Sequence, residues 1–146
     1  MTLTAATLLV GSAGLEIVVT STDGRRLHVP DVQAGERIEL RYRHSVERTP
    51  VIEIFRAERD GLWFEEMWFV SHGAGLPTAG YTREGGRFVL RERKRIGDLP
   101  LMVATTADQR LQVAGREIPL AAFGEGARVS VSVRHTGRAL RWPWER

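Results

Sequence analysis

Short β-branched or aromatic runs alternate along the chain with glycine-bearing turns, the pattern of antiparallel sheet. Leu15-Glu16-Ile17-Val18-Val19-Thr20 reads as a first strand, Asp23-Gly24 as a hairpin turn, and Arg26-Leu27-His28-Val29 as the return, ended by Pro30. From Arg37 to Val46 the alternation is strict. Ile38, Leu40, Tyr42, His44 and Val46 fall on one face, and Glu39, Arg41, Arg43, Ser45 and Glu47 on the other, as in a half-buried strand that Thr49-Pro50 breaks. Val51–Glu58 and Leu62–Val70 form a hairpin turning at Asp60-Gly61, and both arms are apolar on both faces, which predicts a central place in a sheet. Arg87–Arg93, Leu99–Thr105, Arg110–Val113 and Arg128–Arg134 are further strands, and Ala121-Ala122-Phe123 is a short turn of helix. About eight to ten strands with this density of turns predict a single all-β domain, an antiparallel β-sandwich or a partly open barrel.

The register of the central hairpin decides which side chains share a face. A two-residue Asp60-Gly61 loop sets Glu53 opposite Trp68 and Phe55 opposite Glu66, so that Val51, Glu53, Phe55, Glu66 and Trp68 form one mixed face. The reverse face, Ile52, Ile54, Met67 and Phe69, is then the better core. A face that mixes carboxylates with large aromatics suits a ligand groove or a partner surface. The plainer alternative is that Glu53 pairs with His44 or an arginine, because a carboxylate buried alone is costly.

With 146 residues the chain is long enough for one core and short for two. The absence of cysteine excludes disulfides, thiol catalysis, cysteine zinc sites and iron–sulfur clusters. The net charge is only +3, and Lys94 is the sole lysine, so the positive charge is almost all arginine. That balance accommodates an anionic partner without requiring one.

The densest chemistry lies in Tyr42–Glu53. His44 beside Ser45 invites a nucleophile-and-base reading, but neighbours in a strand point to opposite faces, and no nucleophile-elbow glycines surround Ser45. A hydrogen-bonded histidine at the edge of the core is the plainer role for His44. The remaining enzymatic alternative uses His44 and Glu53 as acid and base, which requires them to converge in an open pocket. His28, His44, His72 and His135 show no short ligand spacing, and a His44–Glu53–His72 site is the one long-range arrangement available, so no metal or cofactor is expected. In Ser71-His72-Gly73-Ala74-Gly75-Leu76-Pro77, two glycines would allow amides to converge into an anion-holding nest, although a tight connection whose glycines avoid clashes is simpler.

Residues 1–13 and 135–146 stand apart from the β domain at 14–134. Thr2–Val10 followed by Gly11-Ser12-Ala13-Gly14 looks like the tail of a secretory signal without a positive start, leaving a degenerate signal, a start placed too far downstream, or a cytosolic beginning. Arg134–Arg146 interleaves arginine with Trp142 and Trp144, which suits a membrane surface, a partner, or a fold-back over the sheet. Nucleic-acid binding is not expected, since Glu92 interrupts the only other basic stripe, Arg91–Arg95.

Two motifs together carry a family resemblance. H-S-V-E-R-T-P-V-I-E-I-F from His44, followed by S-H-G-A-G-L-P from Ser71, resembles the bacterial family called domain of unknown function eighteen-fifty, over roughly Leu15–Arg134. Members of that family are often encoded beside TRAP transporters of the TAXI type, whose solute-binding proteins capture small organic anions. The resemblance therefore implies a non-enzymatic accessory or ligand-binding domain, periplasmic or membrane-associated, with a cytoplasmic location as the alternative. Its partners would be the transporter's membrane subunits, the solute-binding protein, or a small organic anion. The motif positions that transfer as ligand- or partner-contacting residues are His44, Ser45, Thr49, Glu53, Gly73, Ala74 and Gly75, with Pro50, Leu76 and Pro77 beside them.

Overall fold

The computed structural model describes residues 14–136, which form eleven strands in two antiparallel sheets. In chain order these are β1 (Leu15–Ser21), β2 (Arg26–Val32), β3 (Glu36–Arg43), β4 (Pro50–Glu58), β5 (Gly61–Phe69), β6 (Tyr81–Glu84), β7 (Arg87–Gly97), β8 (Leu99–Met102), β9 (Arg110–Val113), β10 (Arg116–Pro119) and β11 (Arg128–His135). One sheet runs β2-β1-β11-β8 and the other β10-β9-β3-β4-β5-β7-β6. The fold is an all-β sandwich, as the strand pattern predicts. The central hairpin does occupy interior positions, since β4 and β5 lie between β3 and β7.

Several departures from the sequence reading have local reasons. Pro30 does not end β2, because β2 is an edge strand where a missing N–H costs no ladder bond; the strand continues through a register shift to Val32. The alternating run from Arg37 stops at Arg43, and His44–Thr49 reverses the chain, so Val46 points away from the core and is 70% exposed. β6 and β10 are four residues each, too short for their polar sequences to announce them. Residues 1–13 and 137–146, including Trp142 and Trp144, lie outside the described residues.

The main core fills the space between the sheets. Ile17, Val19, Val131 and Val29 come from the smaller sheet and Ile38, Leu40, Phe55 and Leu111 from the larger, all close to fully buried. Val51, Phe69 and Leu76 form a second cluster under one end of the larger sheet, and Tyr42 and Met67 pack against both clusters. β7 passes almost directly into β8 through Asp98, so one continuous stretch of chain joins the two sheets at a corner. There Gly61 comes so close to Gly97 that a Cβ on Gly61 would stand 2.9 Å from the Gly97 Cα.

On β4 the core face is the reverse of the one the sequence suggests, carrying Val51, Glu53 and Phe55 rather than Ile52 and Ile54, whereas Met67 and Phe69 of β5 face the core as expected. The loop is Arg59-Asp60, with Glu58 opposite Gly61, so Phe55 pairs with Phe64 and both face inward in edge-to-face contact. A β-bulge then leaves Glu65 unpaired, and beyond it Glu53 pairs with Met67 and Val51 with Phe69. The extra residue moves Met67 and Phe69 to the side of Val51, Glu53 and Phe55, and turns Glu66 and Trp68 outward. Phe55 carries this face most directly. Phe55→Ala is expected to cost about 3–5 kcal/mol in denaturant unfolding, whereas Val46→Ala should stay within about 0.5 kcal/mol.

Candidate functional site

The two motifs form a pair of adjoining loops at one end of the larger sheet. The first closes on itself. The His44 N–H donates to the Thr49 carbonyl at 2.9 Å, and the Arg48 N–H donates to the His44 carbonyl at 2.9 Å. Arg48 takes a φ of 58°, a left-handed conformation that most side chains avoid, to complete the reversal before Pro50 opens β4.

His44 ties the first loop to the second. Its ring is buried, and its Nδ1 accepts the Glu47 backbone N–H at 3.2 Å. A nitrogen that accepts carries no proton, so Nε2 holds the ring proton and donates it to the Ala74 carbonyl at 2.9 Å. The Thr49 and Ser71 hydroxyls meet at 2.8 Å, giving a second tie between the loops. Such bonds contribute about 1 kcal/mol each in net terms. The larger constraint is that breaking one would strand a buried polar partner. Leu76 drops from the second loop into the smaller core cluster, and its N–H donates to the Gly73 carbonyl at 3.1 Å.

Gly73 is there for room. A Cβ at this position would stand 2.6 Å from the His44 Cε1 and 3.1 Å from the Glu47 Cγ. Of the two glycines considered for an anion nest, only Gly75 takes a positive φ, +86°, and Gly73 instead lets the loops approach.

Glu53 lies elsewhere, on the inner face of β4 between Leu40 and Met67. Its Oε1 accepts a hydrogen bond from the Tyr42 hydroxyl at 2.8 Å, so its partner is neither His44 nor an arginine. Burial is the main influence on this carboxyl and raises its pKa above the ordinary 4.5, against the Tyr42 bond, which pulls it down. Burial first, and then the carboxylate, push the Tyr42 phenol well above its own ordinary value.

His72, the third residue of the conceivable metal arrangement, packs instead among Phe69, Tyr81 and Phe88, with ring centroids 4.5–5.9 Å away. Among the described residues no group of three or more metal-ligating side chains converges. The fold thus brings His44, Thr49, Gly73 and Ala74 together, leaves Ser45 exposed on the first loop, and keeps Glu53 in its own pairing with Tyr42. Sequence reasoning missed Tyr42 as the partner of Glu53 and Ser71 as the partner of Thr49. The cross-strand pairing of Tyr42 with Val51, two residues before Glu53, was the available signal for the first.

A family model describing a domain of unknown function, DUF1850, matches residues 38–120. The chain belongs to that family, and the matched span contains both loops and the Tyr42–Glu53 pair. No curated protein and no solved structure matches the chain.

Two measurements probe this site. Gly73→Ala should destabilise the domain by about 1–3 kcal/mol through overpacking against His44, while Ala74→Ser, whose side chain is exposed, should change it by less than about 0.5 kcal/mol. The second concerns pH. Because the folded state raises the Glu53 pKa, the native protein holds that proton more tightly than the unfolded chain. The associated stability is fully present below the ordinary value of 4.5 and is lost as pH rises through the raised one. Stability of the native protein relative to Glu53→Gln should therefore decline across that window. A relative stability that stays constant from about pH 4 to 8 would show that Glu53 feels no such burial.

Proposed function

We propose that this domain is a non-enzymatic binding module, an accessory to a TRAP transporter of the TAXI type for small organic anions, and that the paired loops His44–Thr49 and Val70–Pro77 are its recognition surface. The observation that carries this reading is how the motif polar groups are used. His44 is engaged at both ring nitrogens, Nδ1 by Glu47 of its own loop and Nε2 by Ala74 of the other, and the hydroxyls of Thr49 and Ser71 bond each other across the loops. Side chains committed in this way preorganise a surface rather than wait for a proton or a substrate.

The same loops hold apolar side chains in water. Val46 is 70% exposed and Val70 is 43% exposed, two of the few large hydrophobic residues so placed among the described residues. Exposed aliphatic groups on a rigid platform suit a protein partner better than a small anion, which would need convergent donors. The partner in this reading is a membrane subunit of the transporter or its solute-binding protein, with the domain acting at the periplasmic side.

Co-purification from membranes of the producing bacterium tests the proposal. The native protein should retain transporter subunits, and Val46→Asp with Val70→Asp should lose them while the melting temperature stays close to that of the native protein. Residence of the native protein in the cytosol without any transporter subunit attached would overturn the assignment.

A further inference from the structure

The outer face of the four-stranded sheet carries an open groove of about 600 Å³, bounded by Thr20, Ser130, Pro100, Met102 and Arg128. These side chains share a face because Thr20 pairs with Ser130, Ser130 with Pro100, and Arg128 with Met102. Met102 at its rim is 63% exposed. The row next to the groove behaves differently. Val18 and Ser132 are cross-strand partners on this same outer face, yet they are only 6% and 3% exposed. An open sheet face leaves its outer row wetter than that. Among the described residues, β1 packs with β2 and β11, and β11 with β1, β8 and, from the other sheet, β5.

We propose that the chain's own Leu140–Trp144 segment docks on this face, with its two indole rings in the groove. The geometry of the described residues starts that segment in the right place. Thr136 donates both its N–H and its hydroxyl to the Gly14 carbonyl, which holds the end of β11 beside the start of β1, and a glycine follows at position 137 to permit a reversal. A chain that doubles back there, at roughly 3.3–3.6 Å per extended residue, brings Leu140 level with Ser132 and Val18. It brings Trp142 level with Ser130, and Trp144 level with Arg128 and Met102, to within a residue or two.

The spacing also agrees. Leu140, Trp142 and Trp144 alternate, so an extended segment turns all three toward the sheet, as Ser132, Ser130 and Arg128 alternate toward it. Pro143 has no N–H to give a ladder, which suits a segment lying on a face rather than one added to an edge. The chain also enters β1 from this end of the sheet, but the bulkiest run before it in sequence, Leu8-Leu9-Val10, is consecutive and lacks the alternation that a single face requires. The arginine at Arg128 adds a cation that can stack on an indole ring.

The absence of cysteine from the chain makes proximity directly measurable. In the otherwise full-length protein, Ser130→Cys with Trp142→Cys should form an intramolecular disulfide in the monomer on mild oxidation. Ser130→Cys with Leu9→Cys should not. Links that form only between chains would assign the groove to a second copy and overturn the proposal. A link through position 9 in place of 142 would assign it to residues 1–13, with the same consequence, and so would the absence of any link in either pair. As a second measurement, Trp142→Ala with Trp144→Ala should leave a folded protein whose melting temperature falls by about 4–8 °C, the shift expected for about 1 kcal/mol in a small domain. An unchanged melting temperature would overturn the docking.

Discussion

One extra residue in β5 governs the arrangement of the larger sheet. At Glu65 two residues of β5 oppose one of β4, and the strand resumes with its alternation inverted. Before the bulge, Phe64 faces Phe55 in the core; after it, Met67 and Phe69 face the core beside Glu53 and Val51. Without the inversion Trp68 and Glu66 would face inward and Phe69 would lie in water. The second core cluster exists because Phe69 arrives on the inner side, and that cluster is what receives Leu76 from the motif loop. The loop pairing at His44 thus rests on a register set several residues away.

Glu53 and Tyr42 occupy the seam between the two clusters. Leu40 and Met67 flank Glu53 across the sheet, and Tyr42 packs against both groups of hydrophobic side chains. A carboxyl at such a seam is tolerable only with a partner, and the phenol supplies one hydrogen bond. A polar pair inside a sandwich also penalises register slips, since a one-residue shift would separate its members. The motif glutamate therefore reads as part of the fold's specification, whereas the loops beside it present the surface that the proposed function uses.

The outer face of the larger sheet gives the arginine-rich composition a physical role. Arg87 lies 4.0 Å from the Trp68 ring centroid and Arg93 4.9 Å from that of Trp63. Arg56 donates to Glu65 at 2.8 Å and Arg91 to Glu66 at 3.0 Å, so the carboxylates displaced outward by the bulge find cations there. Planar guanidinium groups can stack on indoles and pair with carboxylates at once, which ammonium groups do poorly. Such exposed ion pairs contribute little stability individually. Ile54, which lies between Glu39 and Glu66 on this outer face, is nevertheless 1% exposed.

Local pattern by itself determined the all-β class, the central hairpin, the core face of β3 as far as Tyr42, and the Ser71–Pro77 loop that carries the second family motif. Alternation and turn residues act over a few positions, and those features are set over a few positions. The face of β4 and its pairing with β5, the reversal at His44–Thr49, the partner of Glu53 and the engagement of His44 with Ala74 were decided only in three dimensions. A bulge leaves no mark in alternation that an ordinary strand would not, and a mixed apolar and acidic run such as Leu62–Phe69 reads equally well in either register. The bond from His44 to Ala74 spans thirty residues and ends on a backbone carbonyl, a group that every residue carries and no side-chain pattern can single out.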